Sequence, residues 1–596
     1  MAPVISLPLA LVAALAAGCL AALGFAPLNL WPVALAAAAL LLWLVSRARG
    51  PVTAGLIGLL FGTGMFAVSL NWIATAFTYQ AKMPAALGWV AVVGLALYLA
   101  LFVAVPAALA AMLTSRTARV LALVALWVPA EWARGILLTG FAWNPLGAIW
   151  LPVTGIAQIA ASVGAIGLTL IALLAAAGLL LLLIGPGRVP RIAGGALIAV
   201  IFAAGLIGNS AVRETGFLGP SLVLIQSGIG QGERYDAAAA EQHLATHLDL
   251  TRAALARVES NASADLPDAG IRDTQAGQVE GVDAPIGIGG GKVNGTLQNN
   301  VAAGLTTPPV NDSAARRNSA AAGSSVAGPA TGQPTGPGGG QVAQRAAQIT
   351  PTLVLWPEGA IDTLIEEDAA TRARIADVLR DGDLLLAGGT GVTRRGPAAQ
   401  YANTLFVIDS AGRIRGRYDK AHLVPLGEYV PLRALLEPLG IARLVPGSAD
   451  FASGPGPRTL ALPGFLGVSP VICYEIAFPQ AVVNSNQRPA WIANVSNDAW
   501  FGAWGPPQHV AQARLRAIEE GLPIARATPT GQTVVINGYG QVLNQLRDGV
   551  SEAVVATLPP PLPEPLFVQV GAGLAMLGAF LVAGLALLVQ RRNGDA

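Results

Sequence analysis

Val-Ser-Pro-Val-Ile-Cys-Tyr-Glu, residues 468–475, is a largely apolar stretch that ends in a reactive side chain. Val468–Ile472 has the composition of a buried strand, and Cys473 follows it directly. A loop that a rigid sheet holds in place is a common position for a catalytic group. A thiol acts there as a nucleophile once a nearby Lys or a base favours the thiolate. The stretch predicts an α/β domain with Cys473 as candidate nucleophile, although a lone cysteine is more often a buried apolar side chain.

Two further segments place an ionisable side chain near a predicted strand. Leu353–Trp356 leads through Pro357 to Glu358, a carboxylate suited to general base and acid chemistry, whose pKa would rise if it were shielded from water. Lys420 lies in a stretch rich in Pro and Gly, and its ammonium suits the negative charge that develops on a carbonyl oxygen. Either residue alone is more often a surface charge, so both roles require that the fold bring them to Cys473.

A layered α/β domain is predicted for residues 213–565, because short apolar runs alternate there with helical or turn-rich segments. Between residues 259 and 349 the composition changes to Gly, Ala, Ser, Pro, Asn and Gln, which cannot bury enough surface to offset the entropy of ordering. We expect a disordered insertion at 259–349. The predicted strands are Leu222–Gln226, Leu353–Trp356, Leu384–Ala387, Thr404–Ile408, Val468–Ile472, Trp491–Val495 and Thr533–Asn537.

The rest of the chain has the composition of a membrane protein. Hydrophobic residues make up 54% of the sequence and charged residues 12%, about half of the roughly 25% found in soluble domains. Eight apolar stretches are about long enough to cross the roughly 30 Å of a bilayer core. We therefore expect a polytopic helical domain of seven spans at 1–212, and a final span with a short tail at 566–596. The eight stretches are 4–24, 28–46, 52–72, 86–113, 118–137, 156–185, 192–212 and 566–590.

Basic residues follow every second apolar stretch, and by the positive-inside rule those ends are cytoplasmic. This predicts a multi-pass protein of the bacterial inner membrane with both termini in the cytoplasm. Residues 213–565 would then face the periplasm. The basic clusters are Arg47 with Arg49, Arg116 with Arg119, Arg188 with Arg191, and Arg591 with Arg592.

Composition also argues against several other functions. A net charge of +2 provides no broad basic surface for nucleic acid. Cys19 and Cys473 are the two cysteines of the sequence, too few for a disulfide framework or a cysteine zinc site, and Cys19 is read as an ordinary helix residue. The four histidines show no recognised ligand pattern, so no metal or organic cofactor is expected; they are His243, His247, His422 and His509.

Three segments, taken in order, resemble the nitrilase superfamily, whose members use a Glu-Lys-Cys triad: Trp356–Glu358, the Lys420 loop and Cys473–Glu475. The full sequence of the Lys420 loop resembles the apolipoprotein N-acyltransferase branch of that superfamily. It reads Asp-Lys-Ala-His-Leu-Val-Pro, followed by Gly-Glu-Tyr-Val-Pro. The segment Ser-Asn-Asp-Ala-Trp-Phe-Gly at 496–502 resembles the same branch. The resemblance spans nearly the whole chain apart from the insertion. One departure is Gly359, where a Ser often follows the catalytic Glu.

This resemblance implies a fold, a reaction and a set of residue roles. The fold is an α-β-β-α sandwich, and the reaction is a ping-pong transfer of an acyl chain from a membrane phospholipid to the α-amine of a diacylglyceryl-modified N-terminal cysteine on a lipoprotein. Glu358 would be the general base and acid, Lys420 would stabilise the oxyanion, and Cys473 would be the nucleophile. Supporting roles are implied for Glu428, Tyr474 and Glu475.

Two other functions are compatible with parts of the sequence. A membrane-anchored amidase acting on a soluble amide would use the same triad, although one span would be enough to anchor it. A transporter with an accessory domain would need charged residues within its spans. Apart from Glu131 and Arg134 near the end of one stretch, the apolar stretches hold almost none, so the sequence favours acyl transfer.

Overall fold

The computed structural model describes residues 6–79, 84–212, 219–234, 239–264, 350–396, 399–436 and 450–594. All of them belong to one compact unit. Most of the predicted insertion, residues 265–349, lies outside the described residues. Its first six residues, 259–264, form the end of a helix that begins at Ala240, so the predicted boundary is about six residues too early. Helix-favouring residues such as Glu259 let that helix continue past the predicted boundary.

Each of the eight predicted apolar stretches contains one long helix. The described residues form fifteen α-helices: α1 Leu7–Ala22, α2 Trp31–Ser46, α3 Pro51–Ser69, α4 Ile73–Ala76, α5 Leu87–Ala110, α6 Arg116–Arg134, α7 Thr154–Ala157, α8 Ala160–Ile184, α9 Arg188–Ala211, α10 Ala240–Ala264, α11 Ala369–Ala376, α12 Arg433–Leu436, α13 Gly505–Glu520, α14 Leu566–Val570 and α15 Gly573–Gly594.

Five of these helices, α3, α5, α8, α9 and α15, are long and apolar enough to cross a membrane. Helices α1 and α2 are apolar but only 16 residues long. Helix α6 carries Arg116, Arg119, Glu131 and Arg134, which makes it too polar to meet the same standard. The structure therefore supports a membrane protein, while the expected count of eight spans stays a prediction.

Small residues bring α1 and α3 into close contact. A methyl group added at Gly18 would lie 2.0 Å from the carbonyl oxygen of Phe61, and one added at Gly64 would lie 2.5 Å from the carbonyl oxygen of Leu15. Both positions therefore require glycine, since any side chain would push the two backbones apart. Small residues at such crossings are typical of helices that pack in lipid.

The part of the chain between α9 and α14 contains two sheets. The first has the strand order β11-β1-β2-β3-β4-β5 and the second has the order β10-β9-β8-β7-β6. In the first sheet, parallel pairing at the centre gives way to antiparallel pairing toward both edges. In the second sheet, β6, β7 and β8 pair in parallel, and β8, β9 and β10 pair antiparallel. The strands are β1 Ser221–Gln226, β2 Thr352–Leu355, β3 Leu384–Arg394, β4 Gln400–Asp409, β5 Ile414–Asp419, β6 Val468–Ile472, β7 Trp491–Val495, β8 Ile524–Ala527, β9 Val534–Ile536, β10 Val542–Gln545 and β11 Glu552–Thr557.

The alternation of side chains along each strand produces four layers. In β2, Leu353 and Leu355 join the core between the two sheets, whereas Val354 and Trp356 face outward and pack with α10 and α11. Outward-facing residues of the second sheet pack against α13 in the same way. This arrangement confirms the predicted α-β-β-α sandwich.

Helix α13 also joins the sandwich to the membrane helices. The side-chain oxygen of Gln508 accepts hydrogen bonds from Trp72, Trp143 and Asn144, at 3.2, 2.9 and 2.9 Å. At the other end of α13, the carboxylate of Glu519 accepts a 2.7 Å bond from the backbone N–H of Ala165 in α8. These buried bonds fix the active face of the sandwich against the membrane helices.

Candidate active site

Glu358 stands just beyond the end of β2, on a turn that Arg234 holds. The guanidinium of Arg234 donates to the carbonyl oxygens of Glu358 and Gly359, at 3.0 and 2.9 Å. Gly359 has φ +60, in the left-handed region, and a Cβ there would lie 1.4 Å from a guanidinium nitrogen of Arg234. Arg234 thus fills the space that the Ser expected from the family pattern would need.

The glycine at this turn gives a stability prediction. Gly359→Ala should lower the thermal midpoint and the activity, because the new methyl group displaces Arg234 from its two carbonyl partners. Left-handed strain itself costs roughly 1–2 kcal/mol. Gly464→Ala is a matched control, since Gly464 also has a positive φ, +78, but nothing lies within 4 Å of its added Cβ. Equal losses of thermal stability in the two variants would contradict the role of Arg234.

The carboxylate of Glu358 is bound from two sides. Asn403 donates to its Oε1 at 2.6 Å, and the ammonium of Lys420 lies 3.6 Å from the same oxygen. Oε2 is buried without a hydrogen-bond partner in the described part of the chain. Burial alone would raise the pKa of Glu358, but Lys420 and Asn403 outweigh it and lower that pKa. The expected rise was therefore wrong, and Glu358 is a carboxylate with one oxygen free to accept a proton.

Lys420 follows β5 and is only 1% exposed. Its ammonium lies 3.0 Å from Oε1 of Glu428, which also accepts a 2.7 Å bond from Asn403. Burial works to lower the pKa of Lys420, but Glu428 and Glu358 outweigh it and raise that pKa above its ordinary value. The lysine is therefore a fixed positive charge rather than a proton donor or acceptor.

Cys473 begins a single turn of 3₁₀ helix directly after β6, with φ +52, a rare value for a residue other than glycine. The thiol is buried, and burial and then Glu358 raise its pKa, while Lys420 lowers it less than these two raise it. We expected Lys420 to favour a resting thiolate, but the net effect is the reverse. The thiol is neutral at rest and needs a base to become a nucleophile, which the free oxygen of Glu358 can supply.

The two residues after the nucleophile have different surroundings. Glu475 ties the Lys420 loop to the Cys473 turn, since it accepts bonds from the Tyr418 hydroxyl and from the N–H groups of Ala421 and Ile472, at 2.9, 2.8 and 2.8 Å. The side chain of Tyr474 instead points toward the membrane helices, and its hydroxyl donates to the carbonyl oxygen of Gly140 at 3.3 Å.

A cavity of about 320 Å³ lies between residues 477–481, a few positions after Cys473, and the membrane helices; Glu358, Lys420 and Cys473 are not among its lining residues. Its wall is mostly apolar and also includes Glu131, Arg134 and Arg516. Apolar or aromatic lining residues include Trp132, Ile136, Ile166, His422, Phe478 and Phe567. The space is suited to a ligand with a hydrocarbon part.

The structure brings Glu358, Lys420 and Glu428 together, and it adds two residues that sequence reasoning missed, Asn403 and Arg234. Asn403 bridges the two carboxylates, and Arg234 shapes the turn at Glu358. An asparagine inside the apolar β4 run is unusual for a strand and was a usable signal. Arg234 gave no such signal in the sequence, because it is one of many arginines in irregular segments.

Comparisons with known proteins identify the family of the chain. A family model described as the N-terminal domain of apolipoprotein N-acyltransferase matches residues 17–178, and a carbon-nitrogen hydrolase model matches residues 331–562. An apolipoprotein N-acyltransferase of Bradyrhizobium diazoefficiens is 32% identical over 597 residues, covering 97% of this chain and 94% of that protein. The chain belongs to the apolipoprotein N-acyltransferase family. A member from Rhodopseudomonas palustris is 30% identical and covers 98% of this chain and 96% of its own.

Two solved structures each match about a third of this chain. An amidase from Nesterenkonia sp. is 22% identical, with a TM-score of 0.26, over 35% of this chain and 77% of that chain. Nit3 of Saccharomyces cerevisiae, a nitrilase-superfamily protein, is 16% identical with a TM-score of 0.26, over 36% of this chain and 78% of its own. Membership of the apolipoprotein N-acyltransferase family confirms the expected acyltransferase activity, and the amidase alternative is not favoured.

Proposed function

We propose that this acyltransferase moves an acyl chain from a membrane phospholipid, through a thioester on Cys473, to the α-amine of a diacylglyceryl-modified N-terminal cysteine of a lipoprotein. The observation that carries the proposal is the buried cluster of Glu358, Lys420 and Cys473, which come from three separate strand ends. The positive charge of Lys420 and the ionised carboxylate of Glu358 suit the roles proposed for them.

The first half-reaction forms the thioester. Glu358 takes the thiol proton as the sulfur of Cys473 bonds to the ester carbonyl carbon of the lipid. The carbonyl oxygen becomes negative and is held by the ammonium of Lys420 and the backbone N–H of Tyr474. When the C–O bond breaks, the proton on Glu358 passes to the leaving oxygen, and lysophospholipid departs.

The second half-reaction uses the same groups with an amine as nucleophile. The neutral α-amine of the acceptor attacks the thioester carbonyl, and Glu358 takes one of its protons. The C–S bond then breaks, and the proton returns to the sulfur of Cys473. The products are the amide-linked acyl chain and the resting thiol, so the enzyme follows ping-pong kinetics.

Glu428 and Glu475 hold the proposed catalytic residues in place without reacting themselves. Glu428 fixes the ammonium of Lys420 at 3.0 Å and is joined to Glu358 through Asn403. Glu475 keeps the Lys420 loop against the Cys473 turn. Tyr474 contributes its N–H to the reaction and its ring to the contact with the membrane helices.

A lipid donor is supported by the place of the site. Five apolar helices belong to the same compact unit, and one of them, α8, lines the cavity of about 320 Å³ together with residues 477–481 after Cys473. The proposal includes eight spans in the bacterial inner membrane, cytoplasmic termini and a periplasmic catalytic domain, as the basic clusters predict. An alkaline phosphatase fused within residues 265–349 should be active, and an inactive fusion would contradict this orientation.

The acyl donor and acceptor can be tested directly. Purified enzyme, reconstituted with phospholipid, should release lysophospholipid in a burst without acceptor and continuously with a diacylglyceryl-cysteine peptide. A soluble amide such as glutamine should give no ammonia. Steady amide hydrolysis without acylation of the peptide would instead support the amidase alternative.

A further inference from the structure

A buried group of three side chains lies behind the nucleophile and has no role in the steps above. His509, on α13, places its Nε2 3.0 Å from the backbone carbonyl oxygen of Cys473. Its Nδ1 lies 2.9 Å from Asp498 and 3.0 Å from Arg526. Arg526 also binds both oxygens of Asp498, at 2.7 and 2.6 Å. All three residues are essentially unexposed.

The chemistry of these partners decides which ring nitrogen carries hydrogen. A carbonyl oxygen only accepts, so Nε2 of His509 must be the N–H that donates to Cys473. Burial and then Arg526 lower the pKa of His509, whereas Asp498 works to raise it. Nδ1 faces the carboxylate of Asp498, and the pairing of Asp498 with Arg526 keeps that carboxylate in place. The group therefore fixes the orientation of the ring, with the Nε2–H toward Cys473.

The bond to Cys473 fixes a peptide plane rather than a side chain. The Cys473–Tyr474 peptide is trans. In a trans peptide the C=O and the following N–H point to opposite sides of the chain. Holding the carbonyl oxygen of Cys473 toward His509 therefore turns the N–H of Tyr474 away from His509. The positive φ of Cys473 is an unfavourable backbone conformation. The hydrogen bond from His509 therefore helps to keep the peptide in this orientation.

We propose that His509 is a positioning residue which holds the Cys473–Tyr474 peptide so that the Tyr474 N–H points into the oxyanion site. This inference rests on the proposed thioester chemistry, in which that N–H and Lys420 share the negative oxygen. Without the histidine, the peptide is free to rotate and one of the two oxyanion donors is lost from its place.

The position of His509 also connects this peptide to the membrane helices. Its ring packs 5.0 Å from that of Trp143, which follows α6, and 5.9 Å from that of Phe501. Trp143 in turn stacks near Tyr474, with ring centroids 6.4 Å apart. A purely space-filling role would therefore be met by any flat ring at 509, whereas the positioning role requires a hydrogen-bond donor. This difference provides the test.

The test uses two reagents that react with Cys473 in different ways. A nitrophenyl ester of palmitate acylates the thiol through an oxyanion, whereas iodoacetamide alkylates it by displacement and forms none. His509→Phe keeps a flat ring without the donor, and His509→Gln keeps a donor. His247→Phe is the matched control for loss of a buried histidine, because His247 packs on Trp356 in the outer layer.

We expect His509→Phe to lose acylation by a factor on the order of 10², the usual effect of removing one oxyanion donor. Its alkylation rate should stay close to that of the wild-type enzyme, and most of the acylation should return in His509→Gln. His247→Phe should acylate normally. Wild-type acylation in His509→Phe, or a parallel loss of alkylation in folded protein, would overturn the inference.

Two further outcomes separate this inference from the proposed function. If wild-type enzyme takes no acyl group onto Cys473, the thioester route itself is wrong. If His509→Phe does not fold, His509→Gln decides alone: normal acylation supports a donor at this position. Lost acylation with normal alkylation in folded His509→Gln would overturn the inference, because a hydrogen-bond donor at this position would not have restored the oxyanion site.

Discussion

Cys473→Ala is expected to abolish both lysophospholipid release and acylation of the acceptor, with the fold and membrane insertion unchanged. Alanine removes the only described thiol near Glu358 and Lys420. The side chain is small and alanine fits the same buried space, so the effect should belong to chemistry and not to folding. Cys19→Ala is the matched control, because Cys19 lies in α1 and should be dispensable.

The covalent intermediate gives the most direct measurement of this prediction. Wild-type enzyme incubated with phospholipid and no acceptor should carry a hydroxylamine-labile acyl group on the peptide that contains Cys473. Cys473→Ser should acylate slowly and then retain the group, since an oxygen ester reacts less readily with an amine than a thioester does. Normal transfer by Cys473→Ala, or transfer by the wild-type enzyme without any adduct, would reject the thioester route.

Lys420→Met is expected to lower turnover by a factor on the order of 10² or more, because the oxyanion loses a charged donor. Methionine keeps an unbranched apolar stem in the buried space. The loss also leaves Glu358 and Glu428 without the ammonium that lies 3.6 and 3.0 Å from them. Lipid binding should change much less than turnover. Lys292→Met, in the predicted insertion, serves as the control for exchange of a lysine for methionine.

Turnover and apparent lipid affinity should be measured separately for Lys420→Met. A large drop in turnover with little change in affinity supports a role in the transition state. Near-normal turnover would mean that another group holds the oxyanion. Because loss of the lysine also removes a stabilising charge from Glu358, a bound cationic amine that restores activity would identify charge, and not shape, as the missing property.

Most of the architecture could be predicted from local sequence patterns. All seven predicted strands are present, and Val468–Ile472 and Trp491–Val495 have the predicted bounds. The strands that were missed include β5, Ile414–Asp419, which carries two arginines and an aspartate near the edge of its sheet. Edge strands face water and need fewer apolar residues, so periodicity does not mark them.

The positions of the helices in the membrane part were predicted equally well. Whether each of them crosses the membrane was not. Apolar composition located all eight long helices, while length and charge leave five that satisfy the requirements of a membrane crossing. Helices α1 and α2 are each only 16 residues long, and α6 includes charged residues at both ends. Neither fact can be established from the sequence until the helix ends are known. Helix ends depend on packing and turns as well as on hydropathy.

The sequence by itself determined the sandwich, the apolar helices and the identity of the triad candidates, because strand and helix patterns and short motifs are local properties. Only the tertiary structure decided the protonation of the site. Lys420 and Asn403 lower the pKa of Glu358, whereas burial raises that of Cys473. The tertiary structure also decided that His509 binds the backbone carbonyl oxygen of Cys473, although the two residues are 36 positions apart. Desolvation and charge act through space, so groups far apart in the chain set these properties.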